Sequence, residues 1–152
     1  MAANAQALTA TFKSQVLSGV HALGTTVVRG ATTPDTVKAA LYLVNQSIGV
    51  GTTAYSATGE VSGAGYTAGG VTVTNATAPS VSGTTGIWTP SANIAYSSVT
   101  LSSAFDTVLL YNSTQSNASI ASYTFGSQTV IAGTLTLTMP GNTSSTALIQ
   151  LA

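Results

Sequence analysis

The chain has 152 residues, a length that fits one domain built on a single core. Its charged side chains are Lys13, Arg29, Lys38, Asp35, Glu60 and Asp106, so 4% of residues carry charge and the formal net charge is zero, against about 25% charged residues in an ordinary soluble domain. So few cations exclude a phosphate-reading nucleic-acid interface and a polybasic membrane patch, and the absence of cysteine excludes a disulfide framework and a thiolate metal site.

Hydrophobic residues make up 44% of the chain, so a core is available, and polarity comes from Ser and Thr, together roughly 30% of residues against far lower ordinary usage. An isolated globule normally covers itself with charge. A chain that does not is expected to work packed among copies of itself or against other proteins, since charge is also depleted at interface centres. No apolar run approaches the roughly 18 residues that span a bilayer. The opening MAANAQALTATFK has no positive n-region and no continuous apolar stretch, so the protein is expected to be made in a cytoplasm without a secretory signal.

Leu8, Phe12, Val16 and Val20 recur every four residues, which predicts a short N-terminal helix over Ala7 to Val20. Its apolar stripe, Leu8, Phe12 and Val16, must bury against the rest of the chain or against a neighbour. Beyond Gly24 the texture becomes β-branched residues in short runs divided by Gly, Pro, Asn and Ser, the pattern of an all-β fold. Strands are predicted at Thr25 to Arg29, Thr36 to Val44 and Val71 to Thr77, the second mostly apolar and therefore central. Between them, Gly49 to Gly70 reads as a long loop, of a length that is usually functional or ordered by a partner. After Trp88, five further strands are predicted at Asn93 to Leu101, Phe105 to Asn112, Ser119 to Phe125, Val130 to Met139 and Thr146 to Leu151. Within the fourth, Leu135, Leu137 and Met139 fall on one face and Thr134, Thr136 and Thr138 on the other. The threonine face is hydroxylated but uncharged, so it can meet another surface without desolvating ions.

Little in the chain carries chemistry. One imidazole, His21, cannot build a zinc site alone, and the three acids stand isolated in sequence, where pairing with Lys38 or Arg29 is the expected use. No serine sits in a G-x-S-x-G elbow. GAGYTA at Gly63 to Ala68 matches a dinucleotide fingerprint in letters only, because a β-rich VTVTN follows it where a helix is required. Neither catalysis, nor a cofactor, nor a bound metal is expected. The stretch GEVSGAGYTAGG, Gly59 to Gly70, is either a tight loop clamped under its own tyrosine or one that docks on a neighbouring subunit, with Tyr55 and Tyr66 as rigid amphipathic contact area.

In that motif, and in the order of TVKAALYL, TAYSATGEVSGAGYTAGG, an aromatic-led strand after Trp88, FDTVLLYN, SYTFGSQTVIAGTLTLTM and a short apolar C-terminal strand, the chain resembles small virion structural proteins of tailed bacteriophages, of the head decoration or capsid cement type. The resemblance implies a β-sandwich virion component without enzymatic activity, made in the bacterial host cytoplasm. Its partners would be itself, as a homo-oligomer, and the major capsid protein or another virion protein. It supplies no catalytic residues.

The expectation for the whole is an all-β single sandwich, jelly-roll-like or immunoglobulin-like, with a short N-terminal helix. Residues 1–20 form a helical segment serving as an interface arm, and residues 21–152 form the sandwich with its Gly-rich loop at 49–70. The interface residues expected are Leu8, Phe12, Val16, Tyr55, Tyr66, Thr134, Thr136 and Thr138. A tail, neck or fibre-base component is the alternative within a virion. A carbohydrate-binding or adhesion module, stacking sugars on Tyr55, Tyr66 and Trp88, is the alternative outside it.

Overall fold

The computed structural model describes residues 4–9, 16, 20–25, 33–83 and 85–151. The fold is all-β. Among the described residues eight strands, β1 (Ala7–Leu8), β2 (Val37–Leu43), β3 (Val71–Thr72), β4 (Ser80–Ser82), β5 (Thr85–Trp88), β6 (Ile94–Asn112), β7 (Ala118–Leu137) and β8 (Ile149–Leu151), form two antiparallel sheets. Their orders are β1-β7-β6-β2-β3 and β4-β5-β8.

Strand β2 confirms the reading of VKAALYL as central. Alternate residues point to opposite faces of a strand, and both faces of β2 are buried. Val37, Ala39 and Leu41 join the main core, while Ala40 and Tyr42 join a second cluster with Leu109 and Tyr111 on the other face of the sheet. Trp88 and Ile149 of the small sheet enter the main core, so the two sheets share it.

The four strands expected between Asn93 and Met139 are two. β6 and β7 run 19 and 20 residues and pair along their whole length as one hairpin ribbon. The ribbon is interrupted by register shifts between Tyr96 and Thr107, with Ser98 and Ala132 in the left-handed region at φ 55° and 46°. Bulges of this kind bend a strand and sharpen its twist. Here they let the ribbon double back. The Tyr96 hydroxyl donates a 2.9 Å hydrogen bond to the carbonyl of Ala39, whose ladder partner is Leu110. Tyr96 and Leu110 would lie about 46 Å apart on a straight strand, at about 3.3 Å per residue. The sequence breaks at Ser102-Ser103 and Gly126-Ser127 are therefore bends in continuous strands.

Among the described residues the expected N-terminal helix is not seen at its start, and only Val16 is helical. Ala7 and Leu8, its first residues as expected, pair antiparallel with Ser122 and Ala121 on the edge of β7. Leu8 buries against the same core that a helical stripe would have used, and the ladder hydrogen bonds of β7 favour the extended form. Apart from Thr9, Val16 and Val20, the rest of that segment lies outside the described residues, as do Phe12 and nearly all of the strand expected at Thr25 to Arg29. The strand expected at Val71 to Thr77 is confined to Val71–Thr72, and β4 falls in a segment where no strand was predicted.

Candidate interaction surface

The three carboxylates face inward, and each ties a loop to a sheet. Asp106 accepts a 2.7 Å hydrogen bond from Asn4 Nδ2, and Asn4 also donates to the Leu43 carbonyl and accepts from the Ile48 amide, fastening the N-terminal segment. Asp35 accepts from Asn112 Nδ2 at 2.7 Å and from the Ala22 amide at 3.0 Å. The same Asn112 amide nitrogen lies 3.1 Å from His21 Nδ1, and Asn112 Oδ1 accepts from the amides of Thr114 and Gln115 in the β6–β7 turn. His21 thus belongs to a network that joins His21, Ala22 and Asp35 to that turn.

Glu60 organises the Gly-rich loop. Its Oε2 accepts from the Tyr55 hydroxyl at 2.7 Å, and its Oε1 accepts from the Tyr66 hydroxyl at 2.7 Å and the Gly69 amide at 2.8 Å. Tyr66 in turn accepts from the Leu41 amide, Tyr111 donates to the Gly69 carbonyl, and Tyr55 stacks on Tyr111 with ring centroids 4.7 Å apart. Tyr42 and Tyr66 are held above the ordinary tyrosine range, first by burial. For Tyr66 the hydrogen bond to Glu60 adds to that effect, while Tyr42 is pushed up to about 12. Where pairing with a cation was expected, Glu60 and Asp106 form no ion pair among the described residues; hydroxyl and amide donors satisfy them instead.

The glycines of this loop are required by close approach. A Cβ on Gly70, at φ 71°, would stand 1.7 Å from the Ala39 carbonyl oxygen, and one on Gly63 would stand 2.0 Å from that of Thr100. The loop is laid against its own sheet through Tyr42–Glu60 and Ala64–Thr100 bridges. Tyr55 and Tyr66, expected from sequence as contact area, are brought together on one carboxylate inside the protein.

With the acids turned inward, the outer surface carries still less charge than the composition implies. Asp106 is the one charged residue after Glu60, so the outer half of the ribbon has none. Among the described residues β7 is paired on its outer side at Ala121 and Ser122, by β1, and at Ala118, by a bridge to Ala54. From Thr124 to Leu137 no described strand pairs with its outer edge. Thr134, Thr136 and Thr138 are exposed there, while Leu135, Leu137 and Met139 are half-buried and pack on the main core. Leu8 and Val16 also pack on that core. Ile131, 68% exposed beside the bulge at Ala132, belongs to the same edge and was not singled out from sequence. By period-2 alternation Ile131 falls with Leu135, Leu137 and Met139, so the bulged backbone at Ala132 is what turns it outward, and the sequence signal was only the uncharged run around it.

One hollow lies beside the small sheet and another on the β6–β7 ribbon. The first, of about 330 Å³, is lined by apolar side chains including Leu23, Pro79, Ile87, Trp88 and Ile149, with His21 at its wall. The other, of about 120 Å³, lies among Phe125, Leu137, Met139 and Leu148. No group of acids and histidines among the described residues is arranged to hold a metal ion, and no helix is long and apolar enough to cross a membrane. Compared with protein-family models, curated proteins and solved structures, the chain matches none.

Proposed function

We propose that the chain is a non-enzymatic structural protein of a virion, a capsid decoration or cement protein that binds the assembled head and stabilises it. The observation that carries this reading is the surface: the carboxylates of Asp35, Glu60 and Asp106 are drawn into internal hydrogen bonds, and an open, uncharged strand edge is left outside. A protein held in many symmetric copies on a shell can bind weakly at each contact and still be retained, because multivalency raises effective concentration. Hydroxyl and apolar contacts suit that task, being less screened by salt than ion pairs. The resemblance of GEVSGAGYTAGG and the strands around it to decoration proteins of tailed phages supports the same assignment. We read the two sheets that share one core as a β-sandwich of the kind such proteins use.

The test is to heat purified heads with and without the protein. A rise in head melting temperature, with the protein present in hundreds of copies in lattice density, is expected; equal stability and no density would sink the reading. A copy number near a dozen would move it to the tail, neck or fibre base. The carbohydrate alternative has little support. Trp88 is 1% exposed, the ring of Tyr55 is stacked on Tyr111, and that of Tyr66 on Tyr96, so the rings proposed to hold a sugar are occupied within the protein.

A further inference from the structure

We infer that the open edge of β7 pairs, antiparallel and about a two-fold axis, with the same strand of a second copy of this chain. The inference deepens the assembly reading above, on whose uncharged strand it rests, and names the partner of that strand.

An open edge presents a row of backbone N–H and C=O groups that template another strand, and proteins normally blunt such edges with lysine, proline, bulges or brevity. The other outer strands of this fold are blunted by brevity: β1 and β3 have two residues each, β4 and β8 three. β7 has 20 residues, with neither a charge nor a proline among them. Its blunting device is the run of register shifts against β6 between Thr124 and Leu135, which includes the left-handed Ala132. Beyond the bulge, Leu135, Thr136 and Leu137 pair with Tyr96, Ala95 and Ile94 in unbroken register, so the arm from Leu135 to Leu137 is a regular template.

Self-pairing imposes a condition that pairing with a foreign strand does not. About a two-fold axis each side chain meets a symmetry mate of its own strand, so any charge on the strand would be brought near a like charge. β7 meets that condition, and its exposed face offers threonines, whose cross-strand pairs are favourable. On the opposite face Leu135, Leu137 and Met139 are only half-buried, and the hollow of about 120 Å³ among Phe125, Leu137 and Met139 lies at the end of the same arm. A second β7 laid alongside covers apolar surface that the single chain leaves in water. The two-fold contact is closed, so it gives a dimer with a continuous sheet and no fibre.

Sedimentation equilibrium of the purified full chain tests this, alongside two double variants, Thr134→Lys with Thr136→Lys and Thr134→Glu with Thr136→Glu. Both positions are exposed, and unchanged circular dichroism and melting temperature certify the fold. The wild type is expected to be dimeric at micromolar concentration. Each variant alone should raise the dimer dissociation constant at least about tenfold, the effect of like charges meeting, and an equimolar mixture of the two should restore dimers as heterodimers. A monomeric wild type, a lysine variant that dimerises as well as wild type, or a mixture that stays monomeric would each overturn the inference. Dimers that leave heads unstabilised would keep it and overturn the virion reading. A monomer that stabilises heads would do the reverse.

Discussion

The hydroxyl of Tyr96 reaches the carbonyl of Ala39 at 2.9 Å, although Ala39 sits opposite Leu110 at the far end of the strand that carries Tyr96. One hydrogen bond thereby pins the two ends of β6 across the core. The bulges permit the fold-back, and the burial of Ile94, Tyr96, Val99, Val108 and Leu110 in one cluster drives it.

Replacing Tyr96→Phe keeps the ring and removes that bond. A loss of about 1 kcal/mol is expected, the net contribution of a typical intramolecular hydrogen bond. Urea denaturation checks it. An unchanged midpoint would show that the bulges hold the ribbon folded without the bond.

Gly70→Ala places a Cβ 1.7 Å from the Ala39 carbonyl oxygen at a positive φ, whereas a Cβ on Gly51 meets nothing within 4 Å. The first substitution should destabilise by about 4 kcal/mol or more, and the second should stay within about 0.5 kcal/mol of wild type. Thermal melts of the two variants side by side decide this; equal melting temperatures would refute the close docking of the loop.

Glu60→Gln keeps the shape of the side chain but leaves one acceptor oxygen where two oxygens serve Tyr55, Tyr66 and the Gly69 amide. At least one donor loses a charge-assisted bond, and a cost of about 2 kcal/mol is expected. Proteolysis between Thr53 and Gly70 should accelerate in step, because this carboxylate clasps the loop. A loop that stays protease-resistant would contradict that role.

Alkaline pH should unfold the protein in a defined window. Burial holds Tyr42 at about 12 against an ordinary 10.0, and Tyr66, Tyr96 and Tyr123 are likewise pushed up, first by burial. The folded state therefore binds these protons more tightly than the unfolded state. Their contribution to stability is whole below pH 10 and is lost as the pH rises from 10 through 12. Melting temperature should fall across that interval, and the tyrosinate absorbance of the buried rings should appear together with loss of circular dichroism. Ionisation of every tyrosine near pH 10 in a folded protein would refute it.

What the sequence determined by itself was local. Period-2 alternation placed Leu135, Leu137 and Met139 inward and Thr134, Thr136 and Thr138 outward, and a continuous apolar run made Val37–Leu43 a strand buried on both faces. Composition likewise announced a protein with little charge to show. These readings hold because a strand's side-chain alternation and the burial of apolar surface act residue by residue.

Tertiary structure alone decided the rest. Leu8 has a spacing that serves a helix or a strand, and the edge of β7, more than one hundred residues away in sequence, chose the strand. Ser102-Ser103 and Gly126-Ser127 look like turns between separate strands until the ladder between β6 and β7 is seen to run through them. Glu60 finds Tyr55, Tyr66 and the Gly69 amide within its own loop, but Asp106 and Asp35 are met by Asn4 and Asn112 from 102 and 77 residues away, which no local pattern announces. Hydrogen-bond partners and strand edges are set by which distant segments meet, and that depends on the topology of the whole chain, which no window of sequence contains.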